Sequence, residues 1–338
     1  MTLQLEFRPY AFDLSRPLVT SRGSWQRRRG WLLRIFNPGS GLVGWGEVSP
    51  LDPADQRCCE GVLSAWSLHR RCSRQDLEGL LPSLPAALAF AIGAALAELD
   101  GVMRDVHPSG QRWMQSLPSA QLLPAGQAMP ATLEALLAQD GQASDQTCLD
   151  APLTLKWKVA AVEPALEWRL LRLLLRRLPP KARLRLDANG GWDRATADRW
   201  ADAVVGDPRL DWLEQPLAAD DLEGLSQLGE RVPVALDESL GLNPELREHW
   251  PGWQVRRPVL EGDPRPLLQD LRRGRPNLML STAFETGIGA RWLALLAQLQ
   301  QQGPTPVAPG LAPGWTPPGP LFAAEPEQVW AHAAGDEA

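Results

Sequence analysis

The sequence predicts an α/β fold: a closed (β/α) TIM-type barrel at residues 119–310, preceded by an α+β domain at 1–118 and followed by a C-terminal segment at 311–338. Three observations carry that prediction. Short apolar runs and helical stretches alternate about eight times after residue 119, and such a repeat requires parallel pairing. No glycine-rich dinucleotide fingerprint follows a strand, which weakens a doubly wound open sheet. Several of the strands also end on a lysine, an arginine or an acid.

In the first domain, residues 3–50 read as strands. GWLLRIF (30–36), a turn at Asn37-Pro38-Gly39-Ser40-Gly41 and LVGWGEV (42–48) form a hairpin with turn residues in the right place. The polar stretch TSRGSW (20–25) reads as a mobile loop. From about residue 53 to 102 the period becomes helical, most clearly at 85–99, giving an α+β domain. Residues 103–118 carry proline, glycine and serine without periodicity and mark the boundary.

Beyond it lie an apolar run at 121–124, a helix around 131–138, a strand at 153–159 and a helix at 163–178. Strands follow at 183–187, 210–214, 232–237, 253–257 and 277–281, with helices at 194–205 and 221–228 and another after 281. An eighth short strand is expected at 305–308.

Composition narrows the function. A net charge of -6 with arginines interleaved among acids and prolines argues against nucleic acid as a partner. No apolar run approaches the roughly 20 residues of a membrane span, and the N-terminal stretch lacks a signal peptide's pattern, so a cytoplasmic protein is expected. Cys58, Cys59, Cys72 and Cys148 have no C-x-x-C spacing and read as free thiols. His69, His107, His249 and His332 have no ligand spacing, which leaves histidine-based metal or triad chemistry little support.

The stretch LTLKWKV (153–159) alternates apolar residues with lysine, so Lys156 and Lys158 face one side of a strand. The chain has only three lysines against thirty-one arginines. Arginine stays protonated at ordinary pH, whereas a lysine in a low-dielectric site can lose its proton and act as a base. On the strand alone, a solvated edge with two exposed lysines is the competing reading.

Asp187, Glu214 and Asp237 end three consecutive strands, and in a barrel such ends meet on one face. They are an all-oxygen set suited to a hard divalent cation, magnesium above all. One acid at a strand end is commonly a cap or turn residue; three in succession beside a K-x-K are harder to read that way. Lysines on one side and a carboxylate-held metal on the other suit removal of a proton next to a substrate carboxylate.

LTLKWKV, LRLDANGGWD, DWLEQPL, VALDESL and STAFETGIG, in this order and spacing, resemble the enolase superfamily, most closely its o-succinylbenzoate synthase family. The resemblance extends over nearly the whole chain. TSRGSW and GLVGWGEVSPL look like the family's capping domain, whose loops close over the substrate. The resemblance implies a Mg2+-dependent lyase, with Mn2+ as a substitute, that dehydrates 2-succinyl-6-hydroxy-2,4-cyclohexadiene-1-carboxylate to 2-succinylbenzoate in menaquinone or phylloquinone biosynthesis. It makes Lys158 the general base, Lys156 its partner near the substrate carboxylate, and Asp187, Glu214 and Asp237 the metal ligands. Asn189 and Glu238 would stand beside the metal. Ser281, Thr282 and Glu285, with Ser21 and Arg22 of the capping loop, would line the substrate, and the C-terminal segment would pack back on the capping domain.

One position departs from the family pattern. The sixth strand normally ends in lysine followed by proline, and here it reads Arg257-Pro258. An arginine, with a pKa above about 12, cannot serve as a base. Racemases and epimerases of this design need a base on each face of the substrate; a syn dehydration needs only Lys158. Arg257 then holds charge near the flat intermediate by electrostatic or cation-π contact. The alternatives are another superfamily enzyme, namely an N-acylamino acid racemase, dipeptide epimerase or cycloisomerase, and a non-catalytic metabolite-binding barrel.

Overall fold

The computed structural model describes residues 2–21, 23–66, 71–103, 119–143 and 152–333. Arg22, His69, His107, Cys148 and nearly all of the expected boundary stretch lie outside the described residues.

The N-terminal sheet is antiparallel, with β1 (Thr2–Thr20), β2 (Gly23–Asn37), β3 (Leu42–Val48) and β4 (Arg71–Ser73) in the order β3-β2-β1-β4. The hairpin expected at 30–48 is present. Stretch 20–25 is largely strand instead of a separate loop: Thr20 pairs with Gly23 and Leu18 with Trp25, so this part of the chain is the tip of a long ribbon. Cross-strand hydrogen bonding, invisible in so polar a stretch, extends the pairing there.

Three helices follow on this sheet, α1 (Pro53–Trp66), α2 (Arg74–Leu80) and α3 (Ala86–Leu99). Every residue of α3 after Ala86 is buried, because Leu88, Ile92 and Leu96 face the sheet while Phe90, Ala94 and Ala97 face the second domain. The glycines of LVGWGEV permit this contact. A Cβ at Gly44 or Gly46 would lie 2.0 Å from the carbonyl oxygen of Ala95 or Ala91.

The second sheet is parallel and curled, with seven strands adjacent in sequence order. They are β5 (Gln121–Leu123), β6 (Thr154–Lys158), β7 (Arg183–Asp187), β8 (Leu210–Glu214), β9 (Val234–Leu236), β10 (Trp253–Arg256) and β11 (Leu278–Leu280). The intervening helices are α4 (Met129–Ala143), α5 (Pro164–Arg177), α6 (Arg194–Val204), α7 (Leu222–Gly229), α8 (Glu238–Leu242), α9 (Leu246–His249), α10 (Arg265–Arg272) and, after β11, α11 (Gly287–Gln301). Their apolar faces pack outside the strands around Leu155, Leu184, Leu186 and Leu213, each contributing roughly 1.5–3 kcal/mol by burial.

The eighth position falls slightly later than the sequence suggests. Ser281 bridges Gly310, Gly310 N donates to Leu280 O at 2.8 Å, and Ala120 N donates to Pro309 O at 2.9 Å, so residues 308–311 join β11 back to β5. Prolines at 304, 306 and 309 cannot donate to a ladder, which confines this element to a bridge.

β6 lies between β5 and β7 with all five residues buried, which removes the exposed-edge reading of its lysines. Trp157 points out of the barrel toward Trp200 of α6, which stacks between Trp168 at 4.9 Å and Trp192 at 4.7 Å. Strand parity then turns Lys156 and Lys158 inward. At the other end of the chain α12 (Pro326–His332) lies on the N-terminal sheet, with Trp330 5.6 Å from Trp45 and its carbonyl bonded to Arg8.

Candidate active site

Lys156, Lys158, Asp187 and Glu214 converge at the C-terminal ends of β6, β7 and β8. Lys158 Nζ donates to Asp187 Oδ2 at 2.5 Å and to Asn189 Oδ1 at 2.9 Å. Lys156 Nζ lies 2.8 Å from Asp187 Oδ2 and also donates to Glu214. Both carboxylates are fully buried. Burial opposes the charge of Asp187, but its two lysines hold it well below the usual carboxylate range. Glu214 has only a share of Lys156, and burial together with the charge of Asp187 pushes it up to about 7. Burial likewise opposes the charge of Lys156, yet Asp187 and Glu214 raise it above its ordinary value. Lys156 is therefore held as a cation.

Asp237 follows β9, and Arg257 follows β10. The guanidinium meets the carboxylate along one edge, Nε at 2.9 Å from Oδ1 and Nη2 at 2.5 Å from Oδ2, while Nη1 donates to Thr282 O at 2.7 Å. Burial opposes the charge of Arg257, but Asp237 raises its pKa still further. Arg257 thus points into the strand-end cluster as a permanent cation.

Asn189 links Lys158 to a fourth acid. Its Nδ2 donates to Glu238 Oε1 at 3.0 Å, and its backbone, at φ 46°, is fixed by a bond from its own N–H to Asp187 Oδ1. Asparagine tolerates this left-handed conformation better than most residues. Burial and then the charges of Asp237 and Asp187 push Glu238 up to about 7. Ala160, Gln215 and Phe284 also have positive φ and also follow barrel strands, so backbone strain gathers at this face.

The segment after β11 is bonded to itself. Thr282 Oγ1 donates to Glu285 Oε2 at 2.5 Å, and the N–H groups of Ala283 and Phe284 bond to Glu285 and Thr282. Ser281 Oγ faces Gly310 O at 3.5 Å. From the N-terminal ribbon, Ser21 Oγ reaches Asn189 O at 3.2 Å, which brings the tip of that ribbon to the barrel mouth.

Two positioning groups escaped the sequence reading. Gln215 Oε1 accepts from the N–H groups of Asp237 and Ser239, and its Nε2 donates to Ser239 Oγ and Leu217 O, fixing the end of β9 relative to β8. Glu47 of β3 accepts from Tyr10 Oη at 2.6 Å, from Thr286 N and Oγ1, and from Gly289 N, tying the N-terminal sheet to the start of α11. Their only sequence signal is a polar residue beside a motif acid or inside an apolar strand.

Residues 145–248 match the family model described as enolase C-terminal domain-like. The o-succinylbenzoate synthase of Thermosynechococcus vestitus is 35% identical over 297 residues, 85% of this chain and 86% of that protein. The chain belongs to the o-succinylbenzoate synthase family. The enzyme of the same name from Edwardsiella ictaluri is 29% identical over 82% of this chain and 81% of its own. A crystal structure of o-succinylbenzoate synthase from Thermosynechococcus elongatus BP-1, complexed with magnesium in its active site, superposes with a TM-score of 0.74 at 31% identity, covering 97% of this chain and 99% of that one. The L-Ala-D/L-Glu epimerase from Bacillus subtilis, at TM-score 0.68 and 22% identity over 93% of this chain and 90% of its own, shares the fold.

In this member of the family, Asp187, Glu214, Asp237 and Glu238 face Lys156, Lys158 and Arg257. The acids outnumber the cations, and two of them are pushed up to about 7. Four carboxylates of hard oxygen donors gathered in a buried site fit a hard divalent cation. As they stand, no three acids among the described residues close around a common point. Each of the three expected ligands is engaged by a cation of the chain itself.

Proposed function

We propose that this chain is a carbon-oxygen lyase that dehydrates 2-succinyl-6-hydroxy-2,4-cyclohexadiene-1-carboxylate to 2-succinylbenzoate, a step of menaquinone or phylloquinone biosynthesis in the cytoplasm. The observation that carries this reading is the buried K-x-K facing Asp187 and Glu214, with an arginine at the end of the sixth barrel strand. Among the described residues no helix is long and apolar enough to cross a membrane.

Asp187, Glu214 and Asp237 would hold Mg2+, or Mn2+ in its place, and Asn189 and Glu238 would stand beside it. The metal supplies a Lewis acid for the negative charge that develops on the substrate carboxylate. Lys158 removes the proton from the carbon that bears this carboxylate, and the C–H electron pair enters the carboxylate as an enediolate. The Lys158 ammonium then returns the proton to the hydroxyl on the same face as the C–O bond breaks, water leaves and the ring becomes aromatic. Lys156, held as a cation, and Arg257 stabilise the charge that appears between these steps. The backbone at Ser281, Thr282 and Glu285 would line the succinyl side, and Ser21 and Arg22 would close over it.

Epimerisation needs a second base opposite Lys158, and Arg257 cannot be one. The epimerase likeness is one of fold. The test is Mg2+-dependent formation of 2-succinylbenzoate by the native chain, Lys158→Ala and Arg257→Lys. Turnover lost in the first variant and kept in the second is expected; a native chain that is inactive while Arg257→Lys turns over would end the lyase reading.

A further inference from the structure

Asp237 differs from the other two proposed ligands in how it is neutralised. Asp187 and Glu214 meet lysine ammonium groups, each a single point charge. Asp237 meets the flat edge of a guanidinium that covers both of its oxygens, at 2.9 and 3.2 Å from Nε and 2.5 Å from Nη2. Such two-point pairs are among the stronger hydrogen-bonded contacts, and an ammonium cannot reproduce their geometry. The third nitrogen is anchored on Thr282 O at 2.7 Å, so Arg257 spans the ends of β9, β10 and β11.

We infer that Arg257 is a positioning residue that competes with the divalent cation for Asp237, so that loading of the metal requires the guanidinium to give up its two-point hold on that carboxylate. The inference rests on the reading of Asp187, Glu214 and Asp237 as metal ligands. Two physical arguments support it. A ligand oxygen directed at a guanidinium is withheld from the metal, and a positive side chain next to a dication repels it in a buried site where screening is weak. The bond to Thr282 O keeps Arg257 at the strand ends after Asp237 is released.

Titration calorimetry of Mg2+ into the full chain without substrate tests this on the native protein, Arg257→Met and Arg257→Lys. Arg257→Met, which keeps the stem and removes the charge, should bind Mg2+ about tenfold tighter or more, and Arg257→Lys should fall between it and the native chain. Arg257→Met binding no tighter than native would overturn the inference. If circular dichroism shows that variant unfolded, Arg257→Lys decides, and a Kd within about twofold of native overturns it. Absence of ion binding in all three chains would instead remove the metal reading, and this inference with it.

Discussion

Ser21 Oγ donates to the carbonyl of Asn189 at 3.2 Å, joining the tip of the N-terminal ribbon to the turn whose side chain holds Lys158 Nζ. The two residues are distant in sequence and follow strands of different sheets. One turn therefore meets both the ribbon tip and Lys158.

Gly191 lies under that contact. A Cβ there would sit 2.9 Å from Ser21 Cβ and 2.7 Å from Ala160 Cβ. Gly191→Ala should push the ribbon tip off the barrel and raise KM several-fold or more, with a smaller change in kcat. Steady-state kinetics with the cyclohexadiene substrate checks this; an unchanged KM would mean that the tip has no part in holding substrate.

Lys158→Ala removes the proposed base while leaving the three proposed ligands. The expected loss in kcat is roughly 10²–10⁴-fold. It is read from the appearance of 2-succinylbenzoate, with Mg2+ binding measured alongside. A variant that retains a large share of native kcat would assign the proton transfer to another group.

Glu47→Ala should destabilise the fold. It strands the N–H groups of Thr286 and Gly289, which donate to this carboxylate, and leaves the buried Tyr10 hydroxyl only Ser49 Oγ at 3.0 Å. Each unsatisfied buried donor costs about 1–3 kcal/mol. Urea unfolding should show a loss of several kcal/mol by this rule, and a variant as stable as the native chain would contradict the accounting.

Glu98 of α3 gives the fold a pH dependence. Its carboxylate accepts from Trp45 N and Trp292 Nε1, both at 3.2 Å, and burial pushes it from 4.5 up to about 7. The folded chain then binds more protons than the unfolded one between those values. This group's contribution is most favourable below about pH 4.5, declines as pH rises to about 7 and is level beyond it. Glu98→Gln should flatten the native decline across that window by on the order of 3 kcal/mol. Parallel stability curves for the two chains from pH 5 to 8 would exclude Glu98 as its source.

Local pattern determined much of this protein. Alternation in LTLKWKV fixes that Lys156 and Lys158 share a face, because side-chain direction in a strand depends only on parity. Repeated strand–helix units place Asp187, Glu214 and Asp237 at strand ends, and parallel pairing then gathers them on one side. The replacement of lysine by Arg257, with its limit on base chemistry, is equally a fact of sequence. Other features depend on partners far along the chain. Pairing of Thr20 with Gly23 turns an expected loop into ribbon, and Pro309 and Gly310 close the barrel where prolines prevent a full strand. Gln215 and Glu47 acquire their positioning roles only when distant N–H groups arrive to use them. Which carboxylate Arg257 pairs with was decided by the three-dimensional arrangement. A guanidinium settles where an acid and a carbonyl come within reach together, and only the folded barrel sets that distance.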